Sequence, residues 1–310
     1  MSPKIELAES AIVFYASYPK TGSTALPNIL DRWLRGAGKD RGEIVEWGGG
    51  KHNFRIGAPP DGRLLIKTHH TIGDFARKLR KQPDSLARLA DALDRGSVDL
   101  FSGRGCAYIY MLRNPFCVLN SAIDYSRMLY QRPEAASAWV EDGRAQRFFV
   151  DLLGLPSIPD GALFSQFAFL ELPARQIEDI VWRFIETSGS IPIFEAGDML
   201  TYFQHVNYYQ NALAGVGDAP QVLLNYEQLM ADPEPALSAV AALLGISPAE
   251  LLESWLTEGA AREGGRGRYK SGFYGGFHER TPSAIRELGS WERMLSYVDA
   301  ACPALRSLVN

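Results

Sequence analysis

IVFYASYPKTGSTALPNILDRWL, residues Ile12 to Leu34, changes its hydrophobic period part-way along. Ile12 to Ala16 is a short apolar run rich in β-branched and aromatic residues, the pattern of a buried strand. Tyr18 to Thr24 is a polar turn. Leu26, Ile29, Leu30, Trp33 and Leu34 then recur at helical spacing, and Pro27 falls in the first turn, where its missing N–H is harmless. Gly36 and Gly38 follow as a helix stop. The expected unit is strand, loop, helix, with the loop on the helix N-terminus. Such a loop suits an anion, because free N–H groups and the helix dipole both present positive charge. Gly22 lets a backbone approach closely, Ser23 and Thr24 add hydroxyl donors, and Lys20 adds a full charge. This is not the Walker A order, in which the lysine follows the last glycine; here Lys20 precedes Gly22. The same residues also suit an ordinary capped turn that carries a surface lysine.

Composition narrows the class. The chain has 310 residues with 46% hydrophobic content, ample for a sizeable core. Lys and Arg number 32 against 36 Asp and Glu, a formal net charge of -4 that gives no basic excess for general nucleic-acid binding. Cys106, Cys117 and Cys302 are widely spaced and odd in number, which suggests neither a disulfide framework nor a zinc site and fits a reducing cytosol. The opening MSPKIELAES lacks the pattern of a signal peptide. No apolar run approaches the ~18 residues of a membrane span. A cytoplasmic protein is expected.

Further candidate elements follow in order. Residues 37–62 are rich in Gly and charge and read as loop around a short element, with Trp47, His52 and Phe54 either lining a substrate mouth or pinning a surface loop. Arg63 to Thr68 is a strand candidate ending in Lys67-Thr68-His69-His70. Lys67 and His69, two apart, point the same way, and a histidine at a parallel strand's end is placed to act as a general base or simply to cap the strand. Asp74 to Asp94 reads as mostly helical, with a break near Pro83. Cys106 to Leu112 is the next strand and runs into Arg113-Asn114-Pro115, where Asn114 is a good N-cap and Pro115 a good first helical residue. Arg113 at that strand end suits a phosphate or a structural salt bridge. The aromatics of residues 130–200 read as helices and loops over the site, shaping an apolar pocket or packing as core. Thr201 to Ala214 is a helix, Val222 to Leu224 a strand, and Pro235 to Leu244 and Pro248 to Glu258 are helices. Residues 264–281, GGRGRYKSGFYGGFHERT, form a basic, aromatic run that is too short and isolated to indicate RNA binding.

Together these stretches resemble the cytosolic-type sulfotransferases, which use 3′-phosphoadenosine 5′-phosphosulfate (PAPS). Tyr18-Pro19-Lys20-Thr21-Gly22-Ser23-Thr24 resembles their 5′-phosphosulfate loop, and the likeness implies that Lys20, Thr21, Gly22, Ser23 and Thr24 hold that group. The family's next residue is usually a tryptophan that lies against the adenine; here it is Ala25. Lys67-Thr68-His69 resembles the second feature. It implies that His69 is the base that deprotonates the acceptor and that Lys67 contacts the sulfuryl group, with His70 as an alternative base. Arg113 followed eight places later by Ser121 resembles the 3′-phosphate site. Tyr226-Glu227 resembles the tyrosine that contacts the adenine, although Tyr226 can equally serve only to pack.

Lys270-Ser271-Gly272-Phe273-Tyr274-Gly275-Gly276-Phe277-His278 falls into register with the family's Arg-Lys-Gly-x-x-Gly-x-Trp-Lys. Lys270 stands for the 3′-phosphate arginine, Ser271 for the lysine, Phe277 for the tryptophan and His278 for the last lysine. Arg266 or Arg268 is the candidate for the missing guanidinium. The family's C-terminal dimerisation signature has no match.

The resemblance spans residues 12–280. It implies one α/β domain over residues 1–310: a central parallel sheet flanked by helices in a P-loop NTPase-like sulfotransferase fold, with an insertion or lid near 140–185. The implied reaction is sulfuryl transfer from PAPS to a hydroxyl of a small, apolar acceptor, leaving 3′-phosphoadenosine 5′-phosphate (PAP). Lys20, Lys67 and His69 would be catalytic, and no metal is expected. A P-loop-type kinase using ATP and a non-catalytic module binding adenosine bisphosphate are the competing readings.

Overall fold

A computed structural model describes residues 12–22, 25–34, 45–47, 54–57, 64–79, 100, 102–103, 105–195, 197, 199–263 and 277–309. It divides into two compact units, Met1–Leu112 with Tyr208–Arg268, and Arg113–Asn207 with Tyr269–Asn310.

The first unit is built on a six-stranded sheet. Its strands are β1 (Ile12–Ser17), β2 (Val45–Trp47), β3 (Phe54–Gly57), β4 (Leu64–Thr68), β5 (Cys106–Leu112) and β6 (Gln221–Asn225), in the order β2-β3-β4-β1-β5-β6. β4, β1, β5 and β6 run parallel, whereas β2 and β3 are antiparallel to their neighbours. Every residue of β1 and of β5 is buried. Successive side chains of a strand point to opposite faces, so both faces of the sheet are covered there, as parallel strands require. Tyr15 of β1 stands opposite Lys67 of β4 on one side and Ile109 of β5 on the other. The strand order therefore reverses beside β1, where open parallel sheets bind ligands.

The helices of this unit follow from their own sequence signals. α1 (Ala25–Leu34) buries Leu26, Ile29 and Leu30 and packs on β4. α2 (Ile72–Leu79) sets Phe75 edge-on to Phe14 of β1, with centroids 5.7 Å apart.

In the second unit α3 (Pro115–Tyr130) starts at a side-chain cap. The Asn114 carboxamide oxygen accepts from the N–H groups of Phe116 at 3.0 Å and Cys117 at 3.4 Å, and Pro115 takes the first helical position. α4 (Pro133–Glu141), a π-helical turn at Gln146–Leu152 and a short helix at Gly161–Phe164 fold against the end of α3. Their rings make an aromatic core: Phe149 lies 4.6 Å from Tyr130 and 4.7 Å from Phe164, all buried. α5 (Ala174–Glu186) buries Ile177, Ile180, Val181, Phe184 and Ile185 along one stripe.

The later helices are α6 (Tyr202–Gly215), α7 (Tyr226–Ala231), α8 (Pro233–Leu244), α9 (Pro248–Glu263), α10 (Phe277–Arg286) and α11 (Trp291–Ala301). α6 contributes its first residues to the second unit and those from Tyr208 onward to the first.

Two expectations change. Residues 37–62 do not hold a single short element; they hold β2 and β3, which extend the sheet in antiparallel fashion. Val45-Glu46-Trp47 and Phe54-Arg55-Ile56 each alternate with period two, but three-residue runs among glycines are too short to stand out. The aromatics Phe148, Phe149 and Phe164, read either as pocket or as core, are at most 2% exposed and pack as core. The break near Pro83 lies outside the described residues.

Candidate active site

The site begins where β1 ends. Tyr18, Pro19, Lys20 and Thr21 form a tight turn, in which the Thr21 N–H donates to the Tyr18 carbonyl at 3.2 Å and the Thr21 hydroxyl donates to the same oxygen at 2.6 Å. Pro19 occupies the second position and Lys20 the third, with φ of 71°. A proline followed by a positive φ is the pattern of a type II turn, whose third position normally carries Gly or Asn. A lysine there holds its backbone in the left-handed region, at a cost of roughly 1–2 kcal/mol. Gly22 follows with φ of 90°.

What maintains this backbone comes from elsewhere in the first unit. The ring of Tyr226, the first residue of α7, lies directly on Gly22: a Cβ at that position would sit 2.4 Å from Tyr226 Cδ2 and 2.7 Å from Cε2. Glycine is required twice over, by its φ and by that ring. Asn225 seats Tyr226 by capping α7, its side chain accepting from the Gln228 N–H at 2.9 Å. From the other side the Tyr15 hydroxyl donates to the Gly22 carbonyl at 3.4 Å. Burial, and secondarily the neighbouring Tyr226 phenol, push the Tyr15 hydroxyl well above its usual range, so it stays a donor. Lys20 is half-buried at the turn. Ser23 and Thr24 lie outside the described residues.

β4 brings in the second group. Lys67 is half-buried and Thr68 buried. His69, just past the strand, is buried, and its Nδ1 lies 2.5 Å from the carbonyl oxygen of Ser17, the last residue of β1. A carbonyl only accepts, so Nδ1 carries the proton. In the neutral ring this leaves the lone pair on Nε2, the tautomer a general base needs. His70 is buried beside it, and its N–H donates to the Thr68 hydroxyl at 2.9 Å. The sheet thus brings His69 to the end of the strand that leads into the Lys20 turn.

The remaining candidates belong to the second unit. Arg113 is 4% exposed, and its backbone is tied at both ends to one hydroxyl: the Arg113 N–H donates to Tyr202 Oη at 3.2 Å, while that hydroxyl donates to the Arg113 carbonyl. Ser121 is half-buried on α3. Next to it Asn120, fully inside, donates to the Thr281 hydroxyl of α10 at 2.9 Å. Arg266, Arg268, Lys270, Ser271 and Gly272 lie outside the described residues, as does His52; of the side chains of Trp47, Phe54, Phe277 and His278 nothing is described.

Several contacts have no counterpart in the sequence reading: Tyr202 on Arg113, Asn120 on Thr281, and the tyrosine pair of α6 on the residues after β4. One signal for the α6 contacts exists in the chain. Tyr202, His205, Val206 and Tyr209 recur at helical spacing and are all buried, and a buried tyrosine needs a partner for its hydroxyl.

Among the described residues no group of His, Cys, Asp and Glu is arranged to hold a metal ion, and no helix is long and apolar enough to cross a membrane. No protein-family model matches the chain, and no curated protein matches its sequence significantly. Among solved structures, the chain is similar to mouse sulfotransferase SULT7A1 complexed with PAP. The two are 16% identical over 96% of this chain and 88% of that one, with a TM-score of 0.48.

Proposed function

We propose that the protein is a PAPS-dependent sulfotransferase that acts on a hydroxyl of a small acceptor. The observation that carries the reading is the turn after β1: a lysine and a glycine, both at positive φ, between a buried parallel strand and a helix N-terminus. A turn that departs from local preference in this way is an anion cradle in many phosphate sites. Its residue order matches the sulfotransferase loop and not the Walker A loop.

PAPS would supply an activated sulfuryl group on its 5′-phosphate. Lys20 and the N–H groups at the start of α1 would hold the phosphosulfate, with Thr21, Ser23 and Thr24 beside them. A Cβ at position 22 would run into the Tyr226 ring that lies on this turn, so glycine keeps the turn in place. On the sequence likeness, Arg113 and Ser121 are assigned the 3′-phosphate, and Arg268, Lys270, Ser271 and Gly272 are its further candidates. Tyr226 is assigned to the adenine. His69 Nε2 takes the proton of the acceptor hydroxyl as its oxygen bonds to sulfur and the bond from sulfur to the phosphate oxygen breaks. Lys67 and Lys20 offset charge on the transferring and leaving groups. No metal takes part in this scheme. Positioning and electrostatics do most of the work, as in phosphoryl transfer.

The test is calorimetric titration with PAP and, in parallel, with ADP plus magnesium. Micromolar binding of PAP and much weaker binding of ADP are expected. Equal or tighter binding of ADP with magnesium would replace this reading with that of an ATP-dependent kinase. An apolar acceptor, within the single-domain and lid organisation the sequence implies, is proposed on the sequence reading alone, since Phe148, Phe149 and Phe164 pack as core and do not support it. A panel of phenols, alkanols and sugars tests this, and turnover of sugars alone would refute it.

A further inference from the structure

Three of the hydrogen bonds that hold the residues after β4 come from outside that segment's own chain neighbours. One is the Nδ1 bond of His69 to Ser17. The other two come from adjacent tyrosines of α6. The Tyr209 hydroxyl donates to the His70 carbonyl at 2.5 Å, and the Gly73 N–H donates to the Tyr208 hydroxyl at 3.3 Å. Local bonds complete the turn: the Asp74 N–H donates to the Thr71 hydroxyl at 3.0 Å, and that hydroxyl donates to the Asp74 carboxylate at 2.7 Å. Thr71 thereby caps α2, and the His70 N–H is bound by Thr68.

Tyr209 is fixed before it reaches His70. Its ring stacks on Tyr110 of β5, with centroids 4.6 Å apart and planes 16° apart, and both rings are 1% exposed. Tyr208 meets Tyr209 edge to face at 5.2 Å. Burial, with Tyr208, Asp74 and Tyr108 nearby, keeps the Tyr209 phenol protonated well above its usual range, so it remains a donor wherever the protein is folded. A core phenol on a rigid sheet therefore grips the carbonyl one residue beyond the proposed base.

We propose that Tyr209, assisted by Tyr208, is a positioning residue for His69: it clamps the residues after β4 so that the His69 ring stays bound through Nδ1 to Ser17 and presents Nε2 to the acceptor. The packing alone does not call for this hydroxyl. A phenylalanine would stack on Tyr110 equally well; what the hydroxyl adds is a fixed His70 carbonyl. The proposal rests on the reading of His69 as general base, and two separate readouts keep the two ideas apart.

Tyr209→Phe keeps the stacked ring and removes only the donor. The first readout is turnover with PAPS and an active acceptor. A fall in kcat of about 10- to 100-fold is expected, the usual consequence of a small misplacement of a catalytic group, with KM for PAPS unchanged. The second readout needs no turnover: the nitrogen chemical shifts of the His69 imidazole, assigned among the five histidines by comparison with His69→Ala. The wild-type ring is expected as the Nδ1–H tautomer alone, and Tyr209→Phe as a mixture of tautomers. A wild-type kcat together with a single tautomer in Tyr209→Phe overturns the clamp and leaves the base in place. If His69→Ala itself turns over at the wild-type rate, the base reading falls, and the tautomer measurement alone then decides the clamp in the same way. Should Tyr209→Phe not fold, Tyr208→Phe is read on the same two measurements: smaller shifts in the same direction support the clamp, and wild-type values in both overturn it.

Discussion

Two strands of the sheet lead into helices through candidate anion-binding residues, and the two junctions are built in opposite ways. After β5 the chain stabilises itself. Asn114 caps α3 with its own side chain, Pro115 supplies the first helical residue, and no residue from Arg113 to Pro115 needs a positive φ. After β1 the chain is held against its local preference. Lys20 and Gly22 both sit at positive φ, and Tyr226, Tyr15 and His69 from the turn after β4 converge on that end of the strand. The contrast shows which junction is held against its local preference. A capped helix start is what folding alone selects, whereas a left-handed lysine persists only where its surroundings over-determine it.

Three substitutions would break or sharpen this contrast. Gly22→Ala has the largest expected effect on stability, because it adds a Cβ at positive φ and drives it into the Tyr226 ring. A loss of about 2–3 kcal/mol in urea unfolding is expected. Adding Tyr226→Ala to Gly22→Ala should cost less than the two single changes added together, since the clash is then gone. Strict additivity would mean that the ring does not hold the turn.

Asn114→Ala comes next, at about 1–2 kcal/mol, the worth of a good N-cap. Asn114 also donates through Nδ2 to the Leu308 carbonyl at 2.6 Å, so Asn114→Asp, which keeps the cap and loses that donor, should fall between wild type and Asn114→Ala. Equal losses for both would place the stabilisation in the contact with Leu308 and not in the cap.

Lys20→Gly has the smallest effect on stability and the opposite sign. Release of the left-handed lysine is worth roughly 1–2 kcal/mol, and the added freedom of glycine in the unfolded chain takes back roughly 0.5–1 kcal/mol. Stability should therefore be unchanged or higher by up to about 1.5 kcal/mol in the same unfolding experiment, while titration with PAP shows weakened binding. A less stable variant would show that the lysine side chain, and not the anion it is proposed to meet, accounts for the turn.

Much of the architecture can be read along the chain because its signals are short-range. β1 and β5 are continuous apolar runs, and Asn114-Pro115 marks the start of α3 within one residue. Lys20 and Gly22 stand out by residue type and order, and Lys67 and His69 by their place at a strand end. The strands β2 and β3 were hidden because their period-two runs last only three or four residues. The aromatic residues between Tyr130 and Phe164 had the composition of a pocket and the packing of a core, and only their burial separates the two.

Residue order sufficed for the strand–turn–helix unit and for the Asn114 cap, because each rests on neighbours a few residues away, whereas Lys20, His69 and Arg113 became candidates through the resemblance of their motifs. It could not show that the turn after β1 is left-handed at a lysine, nor which His69 nitrogen carries the proton. It also could not show that tyrosine hydroxyls bind the backbone at Arg113 and His70 from 89 and 139 residues away, or that Asn120 meets Thr281 across 161 residues. These depend on which side chains the folded core brings within hydrogen-bonding distance. A hydrogen bond has no period and no composition to betray it; it exists only once packing has brought a buried donor and acceptor together.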